Sequence, residues 1–424
     1  HPVFELVEFI RPIVVGKDSA VVRAVALVHS EERVEVALRS SETGFSADHF
    51  RAVCCFETHH PLPRIKDHVV SASRLPLDPD QDLYGTILFQ GPRFQCLRYY
   101  TELTASNCVA HIAPSNSEWF ARYLPQTFTL GDPGVRDAAI HAIQACIPHR
   151  RVLPVAVDRI IIHVVGAPPP YTLRAVERVR DKDRFVFDLE LTAADRTICE
   201  TWQGLHLQGM EPLPCPSAWP EPLFGPYLER CLHAYAPDSG IRAIFNRDGA
   251  FNRGNALRLI TGREALPQRR KDGKPELSGM SVSLSHCDGA TLAIAGPNTL
   301  GCDVETVENR PASVWQEMLG PRHFALASLL AEEASEDQDS AATRVWTALE
   351  SLKKAGVPRD APLVFSSVAK DGWLHLSAGP WAVFTLVTQL KSSKRRTAVC
   401  VAFPDPLRKT QALESVRDSI GIAQ

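Results

Sequence analysis

Gly301-Cys302-Asp303-Val304-Glu305 is the stretch on which the reading of the C-terminal half turns. Carboxylates at i and i+2 in an apolar run predict a strand that presents both on one face, roughly 7 Å apart. At an effective dielectric near 20, two such charges repel by about 2 kcal/mol, a cost that a bound divalent cation removes. Working outward, Ser283-Leu284-Ser285-His286 precedes this strand, and Trp346-Thr347-Ala348-Leu349-Glu350-Ser351-Leu352-Lys353-Lys354 follows it. In the last stretch Trp346, Glu350 and Lys354 recur at i, i+4 and i+8, which predicts a helix with all three on one face. Val345, Leu349 and Leu352 supply a neighbouring apolar stripe for a core. Glu350 adds a third hard oxygen donor to Asp303 and Glu305, a set that favours Mg²⁺ or Mn²⁺. Taken alone, Glu350 and Lys354 read as an exposed ion pair; beside the Asp-x-Glu and Ser-His segments they read as part of one site.

The chain has 424 residues, of which 45% are hydrophobic and 22% charged, with a formal net charge of −3. That length exceeds one ordinary domain, and the composition is that of a soluble globular protein. The charge balance gives no general attraction to nucleic acid or to an anionic membrane. The longest apolar runs, such as Trp381–Val387, are of strand length and fall far short of a span of ~20 residues. No signal peptide is visible, and the expected location is the cytoplasm. The eleven cysteines are scattered without a CxxC pair, which predicts free thiols rather than a zinc site or a disulfide framework. His1 in place of Met leads us to expect a piece of something longer.

Prolines at 212, 214, 216, 220, 222 and 226 predict a semi-rigid spacer over 211–226 that separates two domains. Upstream, strands are expected at Ile13–Val15, Ala20–His29, Arg33–Leu38, Phe50–Phe56, Cys108–Ile112, Val155–Val165, Leu173–Arg180 and Phe185–Leu191. One helix is expected between the two sets, from Val135 to Ile147, so that a sheet wraps round a central helix. Downstream, helices at Pro226–Ala234 and Phe324–Glu333 mix with strands at Ser281–Ser285, Thr291–Ala295, Cys302–Thr306, Trp381–Thr388 and Ala398–Phe403. The fold class is α+β.

Taken as a set, Ser285-His286, Gly301 to Glu305, Trp346 to Lys354 and Gly273-Lys274-Pro275 resemble the motifs of surfactin-type 4′-phosphopantetheinyl transferases, over about residues 222–405. One departure is Leu349, where the family carries a lysine. The resemblance implies coenzyme A as donor, an acyl carrier protein or domain as acceptor, and Mg²⁺ held by Asp303, Glu305 and Glu350. It further implies that Glu350 accepts the serine proton and Lys354 stabilises the diphosphate. Lys274, Ser285 and His286 would hold the 3′-phosphate, with Arg263 and Arg269-Arg270-Lys271 as further candidates. Lys391, Lys394, Arg395 and Arg396 are expected in a hairpin loop, either solvated or docking an acidic carrier.

In the N-terminal half, Gly131-Asp132-Pro133-Gly134-Val135-Arg136-Asp137-Ala138-Ala139-Ile140-His141, preceded by Tyr84 and Gly91-Pro92-Arg93-Phe94, resembles the second hot-dog of polyketide-synthase dehydratase domains. That implies Asp137 as catalytic acid on a 3-hydroxyacyl thioester and His141 as its orienting partner; the competing reading of Asp137 is a helix cap or a first-turn acid that complements the dipole. The partner histidine of the first hot-dog is expected before residue 1, His59-His60-Pro61 being a weak substitute, so no dehydration by this chain alone is expected. The order of the two halves resembles the C-terminal end of enediyne-type iterative polyketide synthases. The expected division is a dehydratase-like double hot-dog over 1–210, its first part truncated, the spacer over 211–226, a transferase over 227–410 and a tail over 411–424. Two other readings stand beside an active transferase: a non-catalytic scaffold, and a hot-dog acyl-thioester binding or thioesterase module.

Overall fold

In the computed structural model, the described residues are 2–16, 19–56, 73–114, 119, 123, 128–247, 253–261, 268–269, 275–277 and 279–406. The chain divides into two compact units, His1–Leu213 and Pro214–Gln424.

The first unit is one sheet of ten strands among the described residues. In chain order these are β1 (Val3–Phe9), β2 (Val22–Ser30), β3 (Arg33–Ser40), β4 (Asp48–Cys55), β5 (Leu97–Leu103) and β6 (Asn107–Ile112). After the helix α1 (Pro133–His141) come β7 (Arg150–Ile162), β8 (Tyr171–Asp181), β9 (Arg184–Thr192) and β10 (Ile198–Pro212). Their spatial order is β2-β3-β4-β1-β7-β10-β9-β8-β6-β5. All pairings are antiparallel, as β-branched alternation with short turns favours. Helix α1 packs on β5 and β6, burying Val135, Ala138 and Ala139. It stops at His141, and the chain runs on as a 3₁₀ turn over Ala142–Cys146, so the expected helix to Ile147 is present in two pieces.

Two sequence expectations fail here. Ile13–Val15 forms no strand. The first strand ends at Phe9, ahead of Pro12, which offers no N–H to a ladder, and Val14 and Val15 stay exposed. The fifteen-residue β10 was not foreseen. Gly204 interrupts its alternation with φ +63°, where an added Cβ would collide with the Asp158 carboxylate.

The second unit begins with α2 (Glu221–Tyr235), β11 (Arg242–Arg247), α3 (Arg253–Thr261), β12 (Gln268–Arg269), β13 (Pro275–Leu277), β14 (Met280–Cys287) and β15 (Ala290–Gly296). It continues with β16 (Gly301–Thr306), α4 (Ala312–Glu333), α5 (Gln338–Lys354), β17 (Val364–Val368), β18 (Trp373–Ala378), β19 (Trp381–Gln389) and β20 (Arg396–Pro404). Among the described residues two five-stranded sheets result, β11-β15-β14-β13-β12 and β16-β20-β19-β18-β17.

The expected proline spacer over 211–226 is corrected at both ends. β10 reaches Pro212, and α2 starts at Glu221. Pro222 occupies the first turn, where its missing N–H costs nothing. Pro226 lies inside the helix, at a cost of about 3 kcal/mol or more. Packing offsets it: Trp219 stacks on Tyr227 with centroids 4.3 Å apart, Phe224 meets Phe245 edge-on at 5.2 Å, and Leu223 and Leu228 are buried.

Helix α5 packs across β16, β20 and β19. Ala341, Ala342, Val345, Ala348 and Leu352 fill the core beneath it, with Leu349 packed at the edge of the same cluster. Arg344, buried in this helix, donates to Glu336 at 2.8 Å and to the carbonyls of Thr385 and Gly372 at 2.8 and 3.1 Å. The opposite charge of Glu336 and two further hydrogen-bonding carbonyl oxygens make that burial tolerable.

Candidate functional site

In the second unit, three segments far apart in sequence line one open cleft of about 600 Å³. β14 brings Ser285 and His286, β16 brings Asp303 and Glu305, and α5 brings Trp346, Glu350, Lys353 and Lys354. Gly301 makes this possible. An added Cβ there would strike the Ser351 carbonyl and lie 2.8 Å from the Ala355 amide, so only glycine lets the end of α5 lie against β16.

Asp303 is buried, and its Oδ1 accepts from Ser285 Oγ at 2.8 Å and from Lys354 Nζ at 2.7 Å. Its Oδ2 is buried with no hydrogen-bond partner. The Ser285 hydroxyl is fully used, since its Oγ also accepts from the Val304 amide at 3.3 Å. Lys354 donates as well to the Cys302 carbonyl at 3.0 Å. Burial pushes the half-buried Glu305 carboxyl above its ordinary range, and the negative charges of Asp303 and Glu350 push the same way, against a hydrogen bond from Trp346 and the charge of Lys354. Both carboxylate oxygens of Glu350 accept from Lys353, at 3.1 and 2.9 Å. His286 shares a 2.6 Å hydrogen bond with Thr291 Oγ1 through its Nδ1. Burial pushes the Cys302 thiol up to about 12, which makes it an inert core residue.

The Asp-x-Glu strand and the Trp-bearing helix are therefore neighbours, which a site shared between them needs. Sequence reasoning missed Lys353 and the exposed Arg359, which lines the same cleft. Arg359 follows Pro358 in a loop, and no periodicity points to it. Lys274, Arg263, Arg270 and Lys271 lie outside the described residues, as does the side chain of Arg269. The basic loop is turned onto acids of its own unit. Arg395 meets Asp288 and Glu308 at 3.1 and 3.3 Å, and Arg396 meets Asp337 at 2.6 Å.

For a divalent cation, the donor chemistry fits. Three carboxylates line one cleft, and one of them keeps a buried oxygen without a partner. As they stand, however, no three His, Cys, Asp or Glu side chains among the described residues are gathered closely enough to ligate an ion.

In the first unit, the helix cap is Asp132, not Asp137: its Oδ1 accepts from the Gly134 amide at 2.7 Å. Arg136 ties the same turn to the buried Glu200 of β10 at 2.9 Å. Asp137 is thus left to accept from His141 Nδ1 at 3.0 Å. The other ring nitrogen, Nε2, lies 3.1 Å from Tyr84 Oη, which also accepts from the Leu97 amide at 3.2 Å. With its oxygen accepting from Leu97, the phenol has Nε2 as an acceptor for its proton in the tautomer that places the ring proton on Nδ1, facing Asp137. Burial pushes the Tyr84 hydroxyl well above its ordinary range, which keeps it a donor. Asp137 and His141 line a cavity of about 360 Å³ with Phe89, Ile140, Leu153 and Leu207, an apolar pocket with a polar pair in its wall. His59, His60 and Pro61 lie outside the described residues.

Residues 62–213 match the family described as "Polyketide synthase dehydratase N-terminal domain". The match ends where the first unit ends, and this region is a dehydratase-type, strand-rich hot-dog domain. Among solved structures, similar chains include the dehydratase domain of PpsC from Mycobacterium tuberculosis in complex with C12:1-CoA, at 18% identity, covering 49% of this chain and 76% of that one, with a TM-score of 0.38. A dehydratase domain of a mycocerosic acid synthase-like polyketide synthase is 19% identical over 49% of this chain and 74% of its own, with a TM-score of 0.40. The dehydratase domain from the CurH module of the curacin polyketide synthase is 15% identical over 49% and 77%, with a TM-score of 0.41. No curated protein matches the chain. Among the described residues, no helix is long and apolar enough to cross a membrane.

Proposed function

We propose that the second unit transfers the 4′-phosphopantetheine arm of coenzyme A to a serine of an acyl carrier protein or carrier domain. The chain would then be part of an enediyne-type iterative polyketide synthase in the cytoplasm, with its first unit drawn from a dehydratase. The observation that carries this reading is the convergence of Ser285, His286, Asp303, Glu305, Glu350 and Lys354, from three separate segments, on one cleft.

The carrier serine Oγ forms a bond to the β-phosphorus of coenzyme A. The bond from that phosphorus to the bridging oxygen breaks, and 3′,5′-adenosine bisphosphate leaves with the electron pair. Glu350, at the open side of the cleft, accepts the serine proton. Lys354 offers charge to the diphosphate. His286, with Lys274 and Arg263, holds the 3′-phosphate, while Ser285 orients Asp303 by its hydrogen bond. When bound, Mg²⁺ or Mn²⁺ held by Asp303, Glu305 and Glu350 neutralises the diphosphate.

In the first unit, Asp137 is the acid that protonates the departing hydroxyl of a 3-hydroxyacyl thioester, and His141 holds it in place. The family match over residues 62–213 and the apolar cavity beside this pair support that role.

Incubating the chain with coenzyme A, Mg²⁺ and an apo-carrier protein should add the mass of one phosphopantetheine arm to the carrier. Asp303→Ala should abolish the gain. Undiminished transfer by that variant refutes the metal assignment, and thioester hydrolysis without metal in place of transfer favours a thioesterase module.

A further inference from the structure

Two of the three carboxylates in the cleft of the second unit already carry a cation from the protein itself. Asp303 accepts from Lys354 at 2.7 Å and Glu350 from Lys353 at 2.9 Å, two adjacent positions at the end of α5. Glu305 alone is served by a neutral donor, the indole of Trp346. The two ion pairs differ in weight. Lys353 is about half exposed, and its pair with Glu350 is a weak surface contact. Lys354 serves a carboxylate only 5% exposed, and a buried charge must be matched close at hand. Asp303 is also pinned, because the Ser285 hydroxyl donates to the same oxygen that Lys354 holds. Its other oxygen, Oδ2, is the one left without a partner.

We infer that Lys354 is the resident counter-ion of this cleft, and that a divalent cation entering at Asp303 displaces its ammonium. The inference rests on the transferase reading and adds to it an order of events. The cation takes Oδ2, the oxygen without a partner, and its charge repels the ammonium held on Oδ1 of the same carboxylate. Once released, the lysine stands at the end of α5 with its charge uncommitted, beside the cleft where the coenzyme diphosphate would lie. Metal entry thereby creates an anion-binding group, and metal and diphosphate binding favour each other. By reciprocity, the diphosphate must strengthen metal binding by the same factor. In the resting cleft, Lys354 keeps Asp303 neutralised and in place.

Two measurements test this on the full chain, neither relying on turnover. Calorimetric titration with Mg²⁺ alone should give a dissociation constant on the order of tenfold lower for Lys354→Met than for the native chain, the scale expected when one competing charge leaves a partly exposed site. Amine labelling with an acylating reagent, read by mass spectrometry at Lys354, should rise in the native chain when Mg²⁺ is added. It should not respond to Mg²⁺ in Asp303→Ala. Equal or weaker Mg²⁺ binding by Lys354→Met overturns the inference, as does Lys354 labelling indifferent to Mg²⁺. A native chain that transfers the arm and binds Mg²⁺ while Lys354 labelling stays flat refutes this inference and leaves the transferase reading standing. A native chain that neither binds Mg²⁺ nor transfers the arm refutes both.

Discussion

Replacing Lys354 by methionine in the metal-free chain removes the only cation bonded to Asp303 among the described residues, while methionine keeps most of the side-chain length. Breaking a fully buried ion pair by deleting one partner costs about 3–5 kcal/mol, whereas an exposed pair is worth about 0–1 kcal/mol. Asp303 is 5% exposed and Lys354 29% exposed. The pair therefore falls between these limits, at about 2 kcal/mol. A unit of the size of Pro214–Gln424 shifts its midpoint by about 2–4 °C per kcal/mol, so the expected fall is about 4–8 °C. Thermal unfolding of the full chain should show this drop in EDTA, with most of it recovered in excess Mg²⁺, since a cation bound only to the folded state stabilises it by mass action. A midpoint that stays put in EDTA would show that Asp303 needs no counter-ion. A drop that Mg²⁺ does not recover would show that the carboxylate does not receive metal.

Glu305→Gln should stabilise the metal-free chain at neutral pH while weakening Mg²⁺ binding. Burial and the neighbouring carboxylates raise the folded-state pKa of Glu305 above 4.5, so its ionisation costs stability. That stability is fully present below the unfolded pKa and lost as pH rises through the folded one. Urea unfolding in EDTA across pH should therefore show the variant ahead at neutral pH and level with the native chain in acid; an advantage that grows toward acid refutes the reasoning. Gly301→Ala places a methyl against the backbone of α5 at Ser351. It should abolish carrier modification in the mass assay even though Asp303, Glu305 and Glu350 are intact, and full activity would show that the helix can yield.

The side chains that line the candidate cleft in the second unit were legible because each of its segments obeys a local rule. Two-residue periodicity set Asp303 and Glu305 together on β16, and four-residue periodicity set Trp346, Glu350 and Lys354 together on α5. The glycine before Cys302 could be noticed in sequence, but its reason is the neighbouring helix. Where the reading failed, a long-range term outweighed a local one. The prolines up to Pro222 argued against a helix ahead of the one expected from Pro226, yet with the Trp219–Tyr227–Phe224 cluster packed beneath it the helix starts at Glu221. Arg395 and Arg396 read as a free basic loop, yet they are met by Asp288, Glu308 and Asp337, residues 59 to 107 positions away.

What the chain settles by itself is which groups share a face: the carboxylate pair, the helical acid with its lysine, and Asp137 one turn from His141. What only the folded arrangement decides is who neutralises whom. Lys354 goes to Asp303 and Lys353 to Glu350, against the i, i+4 expectation that joined Lys354 to Glu350. The physical reason is burial. The carboxylate that has lost its water draws the nearest cation more strongly than the partly exposed one a helical turn away, and how much water each has lost is not written in residue spacing.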